Sequence, residues 1–157
     1  MQSAVSTDVA PVLLGVKGWD WPTWDAGFYP ADMPPEWRLT YFNTQFPCVF
    51  LPETHWRGVA AEDILQWRED THAHFLFLLE GHAGTAPPQA LHDRALCLPA
   101  RDECIVWFDA RSDLRTLTTH LRQPSAQARF LISEDGDLVQ LERVRMLLQL
   151  LGAAAPD

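Results

Sequence analysis

The chain lacks any apolar run long enough to cross a bilayer: its longest, 75–79 and 146–151, fall far short of the roughly 20 residues a spanning helix needs. Positive charge is also scarce. Twelve Lys and Arg stand against 21 Asp and Glu, a formal net charge of −9. Nucleic acid and anionic membranes both draw on clustered basic side chains, so neither is expected as a partner. Three cysteines, Cys48, Cys97 and Cys104, are an odd number with no Cys-x-x-Cys spacing, which argues against a disulfide framework and a zinc site. Buried free thiols are expected instead, with Cys48 and Cys104 each opening an apolar run. There is no Gly-rich phosphate loop, no Gly-x-Ser-x-Gly elbow and no His-Glu-x-x-His, so nucleotide hydrolysis and serine-hydrolase chemistry have no support. Residues 1–10 are polar and small, without a basic stretch leading into an apolar core. No signal peptide is expected there, and the cytoplasm is the default location.

What is present is ordinary globular material. With 157 residues, 47% of them hydrophobic and 21% charged, the chain has enough apolar side chains to bury a core without a staple. A single α/β domain over 1–157 is expected, with 1–10 and 153–157 as flexible tails. Five short apolar runs, at 12–16, 48–51, 75–79, 104–108 and 129–132, have strand length. They are continuous rather than alternating, as strands covered on both faces of a parallel sheet must be. Helical patterns separate most of them. Pro34-Pro35 opens one over 36–43, and a second spans 60–69 with Ile64, Leu65 and Trp67 on its apolar side. Ser112 is placed to cap a third over 113–121, and Asp137 a fourth over 138–151, ended by Gly152. The Pro-rich segment 81–102 is less regular, with a short helix expected over 91–98. The order predicts a truncated TIM-barrel-like or open parallel sheet of about five strands with flanking helices.

In parallel α/β folds ligands gather beyond the carboxyl ends of the strands. There the sequence sets Lys17, Trp19 and Asp20, then Glu53 and His55, Glu80 and His82, Asp109 and Arg111, and finally Glu134 and Asp135. Asp20, Glu53, His55, Glu80 and Asp109 are the candidates for acid/base or metal-assisted chemistry, with Glu53, His55, Glu80 and His82 as a weak metal set. Against this stands the use of Asp and Glu as caps and dipole partners wherever a loop enters a helix. No cofactor is expected, a divalent metal being the alternative. Seven tryptophans are many for this length. Trp37 and Trp67 fall on helices and Trp107 in a strand, where core packing accounts for them. Trp19, Trp21, Trp24 and Trp56 follow strand ends and, with Lys17, are the candidates for binding a ligand or a partner. His72, His74, His92 and His120 show no ligand spacing.

The stretch Gly15-Val-Lys-Gly-Trp-Asp-Trp-Pro-Thr-Trp24, followed by Phe28-Tyr-Pro30, Leu39 with Tyr41, and Phe46, resembles the opening of the YecE-like family, domain of unknown function 72. The resemblance implies a (β/α) barrel cut short, with about five strands where the family has eight. It also implies a degenerate site. Where the family's second strand carries Glu and Asn, this chain reads Val49-Phe-Leu-Pro-Glu-Thr54, with Phe50 and Pro52 at the two polar positions. Glu80 stands where the family tends to have Lys, and Leu131-Ile-Ser-Glu134 where it tends to have Glu-Phe-Arg-His. The expectation is a non-catalytic protein that works through protein contacts or by binding a small ligand at an aromatic, acidic rim. A small metal-assisted hydrolase or lyase is the alternative. Because a truncated sheet exposes an edge and apolar surface, another protein or a second copy of the chain, as a homodimer, is the expected cover.

Overall fold

A computed structural model describes residues 11–82, 84–123 and 127–153. The chain divides into two compact units, one comprising Gly15–Asp102 and the other the described parts of Met1–Leu14 and Glu103–Asp157. Residues 1–10 and 154–157, assigned to tails on composition, lie outside the described residues. Ala153 does not behave as a tail: it is buried, donates to Leu148 O at 2.8 Å and accepts from Val12 N at 3.0 Å.

The architecture is α/β with parallel strands, six of them among the described residues where about five were expected. In the Gly15–Asp102 unit, β1 (Leu13–Lys17), β2 (Cys48–Leu51), β3 (Leu76–Glu80) and β4 (Ala95–Leu98) lie in the order β4-β3-β2-β1. The three pairings are parallel, with Val16 opposite Val49, Phe50 opposite Leu78 and Leu79 opposite Cys97. All four β2 residues and Phe77, Leu78 and Leu79 of β3 are buried. That is why these strands read as unbroken apolar runs: each side of the sheet is covered, and neither face tolerates a polar residue. The crossovers are α1 (Arg38–Gln45), the single turn α2 (Glu53–Trp56) and α3 (Ala61–Glu69), with 3-10 turns at Pro22–Trp24, Pro35–Trp37 and Gln89–Leu91.

The second unit contains β5 (Ile105–Phe108), α4 (Leu114–Arg122), β6 (Phe130–Ser133) and α5 (Leu138–Leu150). β5 and β6 pair in parallel, Ile105 opposite Phe130. The N-terminal end of β1 belongs here too, since Leu13 N donates to Arg129 O at 2.9 Å. Asp137 caps α5 as its position predicts, accepting from Gln140 N at 2.9 Å. α4 is capped by Asp113, whose carboxylate accepts from the Arg115 and Thr116 amides. Ser112, the residue expected in that role, instead accepts from Asp109 N at 2.9 Å and shapes the turn before the helix.

Four further expectations are corrected. Residues 91–98 do not form a helix; Ala95–Leu98 are β4, because pairing with β3 outweighs the helix preference of Ala and Leu. Trp37 is 61% exposed rather than core, and Leu65 is exposed on α3 while Ile64 is buried. Of the thiols, all free, only Cys48 is buried; Cys97 and Cys104 are partly exposed. Among the described residues no helix is long and apolar enough to cross a membrane.

Candidate functional site: an aromatic cleft at the ends of β1 and β2

Beyond the carboxyl ends of β1 and β2 the Gly15–Asp102 unit opens a cleft of about 540 Å³, within the range of small-ligand sites. Its lining comes from three places. The strand ends supply Lys17 and Leu51, the loop after β1 supplies Gly18 to Pro22, and the helices supply His55 from α2 and Trp67 from α3. Gly18 turns the chain out of β1 with φ of 77°, a left-handed value that glycine adopts without strain, and its amide donates to Phe50 O at 2.8 Å.

The loop that follows is clamped from outside the cleft. Arg38, the first residue of α1, bonds the Asp20 carboxylate through Nη1 and Asp25 through Nη2 at 2.8 Å. The Tyr29 hydroxyl donates to the Trp19 carbonyl, and the Arg38 guanidinium lies 5.5 Å from the Tyr29 ring centroid. Burial pushes the Tyr29 phenol far above its ordinary range, so it stays neutral and keeps its proton for that bond. Asp20, a candidate acid or base by sequence, is therefore a tether for the loop.

The walls are indoles. Trp19 and Trp67 meet edge to face with centroids 5.2 Å apart, and Trp67 stacks on Phe77 at 6.2 Å. From Phe77 the rings continue through Phe75 (5.1 Å), Phe42 (6.1 Å) and Trp24 (6.1 Å) to Trp21 (6.4 Å), which again lines the cleft. The series leaves the cleft at one tryptophan and returns to it at another. Such contacts contribute about 0.5–1.5 kcal/mol each beyond burial.

The other sequence candidates are placed as follows. Glu80, at the end of β3, accepts from the Glu53 amide at 2.8 Å, and its carbonyl accepts from Trp56 Nε1 at 3.0 Å. Glu53 pairs with Arg57 one turn on, at 2.5 Å. Trp24 and Trp56 are buried, so neither presents a surface to a partner. His55 is exposed at the cleft, while His82 is exposed on the loop after β3 and is not among the cleft's lining residues. Asp109 belongs to the other unit, where it accepts from Arg111 N at 2.9 Å. Among the described residues no three His, Cys, Asp or Glu gather as a metal would need. The structure thus brings Lys17, Trp19, Asp20, Trp21 and His55 together at one site. Trp67 was missed as a site residue, because its helical position gave core packing as a sufficient account; the clamp by Arg38 carried no sequence signal.

Comparison with known proteins gives one match. The family described as Protein of unknown function DUF72 covers residues 13–147. No curated protein and no solved structure matches the chain.

Proposed function

As the chain belongs to the DUF72 family, whose function is unknown, we propose that its own function is the non-catalytic binding of a small ligand in the cleft between Trp19, Trp21 and Trp67. One observation carries this reading: a cavity of about 540 Å³ sits at the carboxyl ends of parallel strands, with three indoles in its lining. A site with a few polar groups in a mostly apolar lining is the general form of a small-molecule site. Three of the five acid/base candidates are committed elsewhere, Asp20 to Arg38, Glu53 to Arg57 and Glu80 to the α2 amide, which leaves His55 alone of the set at the cleft and favours binding over catalysis. The test is an NMR screen of small planar and non-planar fragments against the labelled protein. Hits should shift the backbone of Lys17 to Trp21 and the Trp67 indole, and Trp19→Ala and Trp67→Ala should remove them while the spectrum stays dispersed. Hits that leave those resonances unmoved overturn the reading.

A second reading, self-association, is favoured by the outer side of α5. Val139, Met146 and Leu150 are 62%, 55% and 83% exposed, and their spacing of seven and four places them along one side of the helix. An antiparallel pairing with a second copy sets Val139 against the partner copy's Leu150 under two-fold symmetry. Light scattering should then give twice the chain mass, and Leu150→Glu should return it to one. A monomer at high concentration rejects this second reading and leaves the cleft untouched.

A further inference from the structure

Resting on the cleft reading, we infer that the ligand is a small organic anion with a flat apolar body, an aryl carboxylate being its simplest form. The polar inventory of the cleft carries the argument. Lys17, His55 and the indoles of Trp19, Trp21 and Trp67 carry the side-chain hydrogen-bond donors of the lining. The lining carboxylate, Asp20, is held by Arg38, which also holds Asp25. What the cleft offers a ligand is therefore donors and positive charge.

One of those donors is charged and unspent. Lys17 makes no ion pair with any described residue, in a chain where acidic side chains outnumber basic ones by 21 to 12. A cationic ligand would meet Lys17 with like charge. A neutral one would fill the space and leave the ammonium without a counter-charge. An anionic head answers it, and the indole faces suit a planar body that stacks or packs edge to face.

The test compares three probes of one shape: phenylacetate, phenylacetamide and phenethylamine, titrated into the isotope-labelled protein. Phenylacetate should shift Lys17, Gly18 and the Trp21 and Trp67 indole resonances, and bind about tenfold more tightly than the amide, as expected for one charged hydrogen bond. Phenethylamine should bind weakest. Lys17→Met, which keeps the apolar stem, should bring phenylacetate down to the level of the amide and leave the amide unchanged; Lys17→Gln gives the same comparison if the Met variant folds poorly. Amide or amine binding in the cleft as tightly as phenylacetate overturns the anion assignment and leaves the cleft reading standing. If no probe and no fragment moves a cleft resonance, both fall together.

Discussion

Glu80 Oε1 lies 2.8 Å from the backbone nitrogen of Glu53, so a carboxylate at the end of β3 caps a helix that follows β2. α2 needs this help. Its N-cap is Pro52, which has no side-chain acceptor; the His55 amide bonds the Pro52 carbonyl at 2.8 Å, but the Glu53 amide precedes any carbonyl of the turn that could accept from it. The Glu80 carbonyl adds a second tie by accepting from Trp56 Nε1. Glu80→Ala should cost about 1 kcal/mol of unfolding free energy, the usual worth of a capping acceptor, and Glu80→Gln, which retains an acceptor oxygen, less than half of that. Urea titration of the two variants measures it. Equal losses for both would mean that packing, not the acceptor, is what Glu80 supplies.

A second constraint lies where β1 pairs with β2, Gly15 opposite Cys48. A Cβ added at Gly15 would stand 2.6 Å from Cys48 Sγ and 2.7 Å from the Cys48 carbonyl oxygen, both well inside contact distance. Gly15→Ala should therefore destabilise by about 1–3 kcal/mol, the usual cost of overpacking a dense interior. Adding Cys48→Ala removes the sulfur but leaves the carbonyl, so the double variant should recover only part of the loss. Thermal unfolding of the three proteins decides this; full recovery would place the whole strain on the thiol.

The parts of the fold that were legible in the sequence are those where burial dictates composition. β2 and β3 are continuous apolar runs because both faces are covered, and α5 begins at Asp137 because a carboxylate there meets the first free amides. β4 was illegible for the converse reason. It is a short strand paired on one side only, with Leu96 exposed, and Ala, Leu and Cys favour no strand on their own. The site was half legible. The rule that ligands gather at strand ends pointed to Lys17, Trp19, Trp21 and His55. What it could not supply was which carboxylates are free, since Glu80 is committed to a residue 27 positions away and Asp20 to one 18 away.

Acid should weaken one identifiable contact in the Gly15–Asp102 unit. Arg68 on α3 bonds the Asp93 carboxylate at 2.5 and 3.2 Å and the Ala90 carbonyl at 3.0 Å, tying the Gln89–Leu91 turn to the helix. The Arg68 hydrogen bond holds the Asp93 carboxyl down to about 2, from an ordinary 3.8. Because the folded value lies below the unfolded one, the contribution is complete above about pH 4 and is lost as pH falls toward 2. The pair is partly exposed, so its effect is small and screened by salt. Asp93→Asn should flatten the acid limb of the stability curve between pH 4 and 2 relative to wild type, most visibly at low ionic strength. Superposable acid limbs would mean that the pair contributes nothing.

Arg38 should hold the cleft loop in place, an expectation that can be read without any ligand. Arg38 joins Asp20 and Asp25, the two ends of the segment that carries Trp21 and Trp24, and it lies over Tyr29, whose hydroxyl holds the Trp19 carbonyl. In that segment and just after it, the amides of Trp24, Gly27 and Tyr29 bond locally, to Trp21 and Trp24 carbonyls at 2.9–3.1 Å. Local bonds of this kind open without global unfolding once their outer tether is removed. Arg38→Met keeps most of the apolar stem against Tyr29 but releases both carboxylates. Amide exchange at Trp24, Gly27 and Tyr29 should then speed up by about tenfold, equivalent to about 1.4 kcal/mol of local stability, while exchange in β2 and β3 stays as it was. Tyr29→Phe should affect the Trp19 end of the loop and spare the Asp25 end. Faster exchange throughout β2 and β3 in Arg38→Met would show that the clamp supports the whole unit and not the cleft loop alone.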